Sequence, residues 1–129
     1  MKNYITVICL GLIMIASACT LDEECQDQEF SLLGKWGLVE SCFDIGDGTK
    51  NCTDHNREST YEFFEDGTVQ IVNPNVNCIS QYELEGTSLE VTSDTDCLTQ
   101  SFFFNMLNVC TITISPLCIE GCPHRYEKF

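Results

Sequence analysis

The segment ISQYELEGTSLEV limits the fold more than any other part of the chain, because apolar and polar residues alternate on both sides of Gly86-Thr87. If this dipeptide forms a turn, Leu84 lies opposite Leu89 on the neighbouring strand. In the same register Tyr82 lies opposite Val91, and the glutamates of both strands share the other face. The pattern therefore predicts an antiparallel hairpin with one buried face and one solvated face.

Other segments repeat this pattern along the chain. TYEFFEDGTVQIV has two β-rich runs around Asp66-Gly67, which is a strong hairpin signal. SFFFNMLNV and CTITIS predict two more strands, the second ended by Pro116, and HRYEKF predicts a last one. The polar stretch DIGDGTKNCTDHNREST predicts a loop. Since no helical periodicity is sustained, these short strands predict an all-β fold, either a small antiparallel β-barrel or alternatively a β-sandwich.

The first 18 residues have the organisation of a secretory signal peptide. Lys2 precedes an apolar run from Ile5 to Ala16, which is shorter than the about 20 residues that a membrane-spanning helix needs. Small residues at Ala16 and Ala18 suit cleavage before Cys19. We therefore predict a signal peptide at 1–18, an acidic tether at 19–28 and a folded domain at 29–129.

Charge restricts the classes of partner. The chain has 20 acidic and 6 basic residues and a formal net charge of −14, and removal of Lys2 with the signal peptide makes the exported chain more negative. Such a surface repels the phosphates of nucleic acids, and the sequence has no basic patch that would attract them. We expect no nucleic-acid partner.

The pentapeptide IASAC, which ends at Cys19, resembles the lipobox of bacterial lipoproteins, in which the cysteine thiol receives diacylglycerol and becomes the first residue. The resemblance implies that acyl chains on Cys19 anchor the protein to a membrane that it does not span. LDEEC, just after it, resembles the surface-export signal of some Bacteroidetes-type outer-membrane lipoproteins. A solvated tether on a periplasm-facing anchor is the alternative. A second alternative is a secreted protein with Cys19 in a disulfide.

Ten cysteines predict a disulfide framework. Cys9 leaves with the signal peptide and Cys19 carries the predicted lipid, which leaves an even number in a small exported domain. One pair flanks the hairpin at nearly equal distances from its turn, Cys78 and Cys97, and a second pair has a short spacing, Cys42 and Cys52. The disulfide candidates are Cys25, Cys42, Cys52, Cys78, Cys97, Cys110, Cys118 and Cys122.

The segment LLGKWGLVES resembles the first-strand signature of lipocalins and lipocalin-like domains, with Gly34-x-Trp36 opening the barrel. YEFFEDGTVQIV resembles the next hairpin of lipocalin-like bacterial lipoproteins, where an aromatic-rich strand runs into Asp66-Gly67-Thr68. The resemblance implies that Trp36 closes one end of the barrel under a basic residue of the final strand, for which Arg125 is the candidate. The domain is shorter and richer in cysteine than a typical lipocalin.

The interior of an eight-stranded barrel is just wide enough for side chains or for one small ligand. The resemblance implies a small apolar ligand, and aromatic side chains are the candidates to line its pocket. The same side chains can instead fill the interior completely as core. The lining candidates are Tyr61, Phe63, Tyr82, Phe102 and Phe104.

Metal binding and catalysis have weaker support. CTDH and CIEGCPH place cysteines near His55 and His124, a combination that zinc favours, but an oxidising compartment favours disulfides. Asp44, Asp47 and Asp54 offer oxygen ligands for calcium without the spacing of an EF-hand. No serine lies in a Gly-x-Ser-x-Gly context. We predict no metal, no cofactor and no enzymatic activity.

Two functions fit these patterns. The first is a membrane-anchored, lipocalin-like binding module that holds a small apolar ligand in the mouth of the barrel. The second is a filled barrel that acts as a structural or protein-interaction lipoprotein of the cell envelope. A cavity of about 300 Å³ or more would favour the first, whereas a packed interior with an exposed apolar patch would favour the second.

Overall fold

The computed structural model describes residues 28–93, 95, 97–118 and 121–129. The predicted signal peptide, Cys19 and Cys25 lie outside the described residues. No helix in the described part of the chain is long and apolar enough to cross a membrane. The regular elements there are β1 (Gly34–Asp44), β2 (Lys50–Asp54), β3 (Thr60–Phe63), β4 (Thr68–Asn73), β5 (Val76–Glu85), β6 (Ser88–Thr92), β7 (Gln100–Asn108), β8 (Thr111–Pro116) and β9 (His124–Lys128).

These strands form one antiparallel sheet in the order β2-β1-β3-β4-β5-β6-β7-β8-β9. Pairing of β1 with β9 closes the sheet into an eight-stranded barrel, and β2 is an extra strand beside the last part of β1. The fold is therefore the predicted barrel and not the alternative sandwich. Tight turns after β3, β5 and β7 lie at the end where β1 begins, which we call the closed end. The opposite end, which we call the open end, has the short turn after β4 and the longer connections after β1, β2, β6 and β8.

The predicted hairpins are confirmed. Across β5 and β6, Leu84 pairs with Leu89 and Tyr82 pairs with Val91. Strands β3 and β4 meet around the predicted Asp66-Gly67 turn, where Gly67 has a φ of 83° that a side chain would oppose. The alternation of apolar residues therefore fixes the register as the sequence predicts.

The polar segment that was expected to be a loop contains a strand. β2 pairs with residues 40–44 of β1, and all its residues are exposed. Because both faces of β2 meet water, its sequence has no apolar alternation that could reveal a strand. The Cys42–Cys52 disulfide directly joins it to β1.

The barrel interior is packed with apolar side chains. Trp36, Phe63, Leu89 and Ile112 are each less than 2% exposed, and they come from strands all around the barrel. Burying a large apolar side chain of this kind contributes roughly 1.5–3 kcal/mol. Most of the interior is therefore core.

Three disulfides in the described residues brace the open end. Two of them are the pairs that the cysteine spacing favoured, so both predictions are confirmed. The third joins the two ends of the connection between β8 and β9. Cys110, in the turn after β7 at the closed end, is disulfide-bonded as well. The three are Cys42–Cys52, Cys78–Cys97 and Cys118–Cys122.

The Gly34-x-Trp36 motif closes the other end of the barrel. Gly34 has a φ of 107°, a conformation that favours glycine, and it leads into the strand from which Trp36 points inward. The indole Nε1 of Trp36 donates a hydrogen bond to the carbonyl oxygen of Leu32 at 2.7 Å. The ring of Phe30 packs against that of Trp36, with centroids 6.5 Å apart. The segment before β1 thus lies across the closed end.

The basic residue over Trp36 is Lys128, and the prediction of Arg125 for this role is wrong. Lys128 pairs with Trp36 across β1 and β9, and its Nζ lies 5.2 Å from the centroid of the Trp36 ring. Arg125 precedes Lys128 by three residues on β9. Side chains alternate between the two faces of a strand, so the Arg125 side chain points outward. There its Nη1 lies 3.8 Å from Glu40 Oε1. Alternation from the buried Tyr126 puts Lys128, two residues later, on the inner face.

Candidate functional site

A cavity of about 220 Å³ lies at the open end of the barrel, between β1, β3, β4 and β9. Its inner part continues the apolar core, and polar residues lie at its rim. This volume is below the about 300 Å³ that would by itself favour the binding module, so the cavity has room only for a molecule smaller than a drug-sized ligand. The residues that line it are Leu38, Ser59, Thr60, Tyr61, Ile71, Val72, Asn73, His124 and Tyr126.

Tyr61 and Tyr126 form a polar pair in the cavity wall. Their rings meet edge to face with centroids 5.3 Å apart. Burial raises the pKa of both hydroxyls above the ordinary value of 10.0, that of Tyr126 well above it. Both hydroxyls are therefore neutral at physiological pH and can exchange hydrogen bonds with an uncharged group.

Both histidines of the chain lie near this cavity. His124 lines it and pairs with Ser41 across β1 and β9. Ser41 Oγ and His55 Nε2 are hydrogen-bonded at 2.7 Å. Burial lowers the pKa of His124, and the nearby His55 lowers it further. The sequence predicts a loop around His55 and a strand that begins at His124, and it does not predict that the two histidines lie near each other.

A β-bulge in β1 brings His55 to this position. The pairing of β1 with β9 shifts between Leu38 and Glu40, so that Val39 is the extra residue. The carbonyl oxygen of Val39 accepts a hydrogen bond from the His55 amide at 2.8 Å. Strict apolar alternation does not reveal a bulge, so this contact is not predictable from the sequence.

The Ser41–His55 contact has the residue types of a nucleophile and its base. In enzymes that use such a pair, a third group orients the base. Among the described residues no carboxylate is hydrogen-bonded to His55, whose side-chain contact is with Ser41. The contact holds the segment after β2 against β1 at the edge of the cavity.

Most of the zinc and calcium candidates are engaged in other bonds. The cysteines form disulfides, Cys42–Cys52 and Cys118–Cys122, and lack the thiolate groups that zinc binds. One cluster of three potential metal-ligand residues occurs in the described part of the chain, and it joins Glu40 to the first of these disulfides. Asp44 and Asp47 each accept a hydrogen bond from a backbone amide of their own loop.

The predicted lining residues separate into cavity and core. Tyr61 lines the cavity, whereas Phe63, Phe102 and Phe104 are buried in the core with exposures of 1%, 6% and 5%. Tyr82 is half-buried and packs edge to face on Phe63, with ring centroids 4.9 Å apart. Core and lining residues both face inward, so alternation alone cannot separate them.

Comparisons with family models, with curated proteins and with solved structures found no match to this chain. Function is therefore inferred from the geometry of the chain itself. The open end offers an apolar surface, two neutral hydroxyl groups and an imidazole with a lowered pKa. This combination suits a small molecule with an apolar body and one or two hydrogen-bonding groups.

Proposed function

We propose that the protein is a membrane-anchored, lipocalin-like binding module that holds a small ligand in the cavity at the open end. The observation that carries the proposal is the cavity lining, where Leu38 and Ile71 supply apolar surface. Tyr61, Tyr126 and His124 supply the hydrogen-bonding groups beside it. Small-molecule sites combine an apolar surface with a few polar groups in this way.

The cavity volume restricts the ligand. At about 30 Å³ per water molecule in the liquid, a cavity of 220 Å³ has room for about seven waters. A molecule of that size has a single ring or a short branched chain. We propose an uncharged ring compound with a polar substituent, because the wall has neutral hydroxyl groups while the chain as a whole is strongly acidic.

The proposal includes a location. Acyl chains on Cys19 would hold the protein in the bacterial outer membrane, and the acidic LDEEC segment supports display on the cell surface. The lipobox-like IASAC sequence is the support for this part of the proposal.

A filled barrel that binds another envelope protein is the second candidate function. Beneath the cavity the interior is filled, with Trp36 and Phe63 at 0% and 1% exposure. Phe43 and Ile45, where β1 leads into the connection to β2, are 49% and 63% exposed. Exposed apolar side chains at the rim of a filled barrel favour a protein partner.

Native mass spectrometry of the exported, gently purified protein tests the first proposal. We expect a mass excess that organic solvent removes and that corresponds to a small organic molecule. Ile71→Phe, which adds bulk on the inner face of β4 where this residue lines the cavity, should abolish this excess. The matched variant Ile79→Phe, at a position on the outer face of β5 that is 61% exposed, should retain it. A bare mass for the parent and both variants would contradict the ligand proposal and favour the second candidate.

A further inference from the structure

The chain enters the barrel at its closed end. Trp36 Nε1 donates to the carbonyl oxygen of Leu32 at 2.7 Å, and Lys128 Nζ donates to that of Ser31 at 3.0 Å. The ring of Phe30, in the same segment, packs against the core, and its centroid lies 6.5 Å from that of the Trp36 ring. These contacts fix the point at which the predicted tether reaches the folded domain.

The length of the tether limits the distance between this end and a lipid anchor. From Cys19 to Phe30 the chain can span at most about 36–40 Å when fully extended. Strand β5 has 10 residues, and with the usual strand tilt the barrel wall is about 25 Å high. For the open end to reach the membrane, the tether would have to run back along the wall over more than half of its maximum length. The closed end can reach the membrane without this path, because the tether joins the domain at that end.

The closed end presents side chains that suit the interface of a bilayer. Phe129 is 56% exposed, and Lys35 Nζ and Arg57 Cζ lie 5.3 Å and 5.2 Å from its ring centroid. Met106 and Leu107, at the end of β7, are 46% and 53% exposed. Aromatic and aliphatic side chains enter the headgroup region, while lysine and arginine extend their charges to the phosphates. We call Lys35, Met106, Leu107 and Phe129 the closed-end patch.

Acidic residues at the closed end restrict a membrane contact to the side formed by β1, β7 and β9. The turn after β3 carries Glu65 and Asp66, and β5 ends at Glu85; anionic headgroups repel all three. Arg57 is neutralised in part by Glu127, whose Oε2 lies 3.1 Å from its Nη2. The apolar and basic residues of the closed-end patch lie instead on the side of β1, β7 and β9.

We infer that the closed-end patch rests on the lipid bilayer that the acyl chains of Cys19 enter, so that the cavity and the disulfides at the open end face the aqueous phase. The inference rests on the lipid anchor of the proposed function and adds an orientation to it. Open exposure of the cavity lets a dissolved ligand enter without crossing the membrane surface.

Quenching of tryptophan fluorescence by brominated lipids tests the orientation. The chain contains one tryptophan, Trp36, which is 0% exposed and gives a constant background. Phe129→Trp and Phe43→Trp introduce reporters at positions of similar exposure, 56% and 49%, at the closed and the open end. The acylated full chain is placed in phosphatidylethanolamine–phosphatidylglycerol vesicles brominated near the headgroups. We expect severalfold stronger quenching for Phe129→Trp than for Phe43→Trp.

Leu107→Trp is a second closed-end reporter, and we expect its quenching to be similar in strength to that of Phe129→Trp. Quenching of Phe43→Trp that equals or exceeds both closed-end reporters would overturn the orientation. Mass spectrometry of the same samples shows whether Cys19 is acylated. A chain without acyl groups would overturn the proposed anchor and the orientation with it. An acylated chain whose closed-end reporters are not quenched would overturn the orientation alone.

Discussion

Lys128 and Trp36 are direct partners across β9 and β1, and the Lys128 ammonium group lies 5.2 Å from the Trp36 ring centroid. The same ammonium group donates a hydrogen bond to the carbonyl oxygen of Ser31, which belongs to the segment across the closed end. Lys128 therefore joins the last strand to the first strand and to the entry segment. Removal of the Lys128 ammonium group should therefore destabilise the contacts among β9, β1 and the entry segment together.

Replacement of Lys128 by methionine keeps most of the side-chain stem and removes the charge. The variant loses a cation–π contact worth about 0.5–2 kcal/mol and a hydrogen bond worth about 0.5–1.5 kcal/mol. We expect the free energy of unfolding to fall by about 1–3.5 kcal/mol, measured by urea denaturation with the disulfides intact. Arg125→Met is the control on the same strand, because the Arg125–Glu40 pair is partly exposed and contributes less than about 1 kcal/mol. A larger loss for Arg125→Met would contradict the assignment of Lys128.

Most of the barrel was predictable from alternation and turn dipeptides. The pairing of Leu84 with Leu89 follows from the Gly86-Thr87 turn, because a shift of one residue would turn every apolar side chain towards water. β2 was not predictable, because a fully exposed strand has no apolar face. Its position depends on backbone pairing with β1 and on the Cys42–Cys52 disulfide, and neither leaves an alternating pattern in the sequence.

The candidate site was less predictable than the fold. Tyr126 and His124 share one face of β9, so alternation from a buried Tyr126 would have identified His124 as inward-facing. The approach of His55 depends on the bulge at Val39, which is a local irregularity of the pairing of β1 with β9. Alternation describes regular strands, so it cannot place a residue that a bulge brings into contact.

Gly34→Ala should destabilise the closed end. Gly34 has a φ of 107°, and a Cβ there would lie 3.1 Å from Lys128 Cε. Backbone strain of this kind costs about 1–3 kcal/mol, and we expect a loss of that size in urea denaturation. Gly48→Ala is the control, because Gly48 also has a positive φ, 79°, but lies in an exposed connection with no atom near its Cβ position. Equal losses of unfolding free energy in Gly34→Ala and Gly48→Ala would show that the close approach of the new Cβ to Lys128 adds nothing to the cost of the backbone strain.

The Cys78–Cys97 disulfide should stabilise the fold more than the Cys118–Cys122 disulfide. Their sequence separations are 19 and 4, so the first closes the longer loop in the unfolded chain. From loop entropy we expect its removal by paired Cys→Ser substitutions to cost about 3 kcal/mol, and removal of the second to cost about 2 kcal/mol. Thermal unfolding of the two double variants measures the difference. The reverse order would mean that native-state contacts, and not loop closure, determine the stabilisation.

His124 should make the stability depend on pH under mildly acidic conditions. Burial and the nearby His55 lower the pKa of His124 in the folded state below the ordinary value of 6.5. The unfolded chain therefore takes up a proton at a higher pH than the folded chain does. It follows that the stability is full above about pH 6.5 and declines as the pH falls through this value towards the pKa of folded His124.

Replacement of His124 by glutamine, which does not titrate, should flatten this decline between about pH 5 and pH 7, above the range in which most carboxylates titrate. Urea denaturation at a series of pH values measures the slope for the parent and the variant. His55→Gln is the matched control: it removes only the smaller cause of the lowered pKa, so most of the slope should persist. If His55→Gln flattens the slope as much as His124→Gln does, repulsion between the two histidines outweighs burial. If neither variant changes the slope, His124 is not the group whose protonation opposes folding.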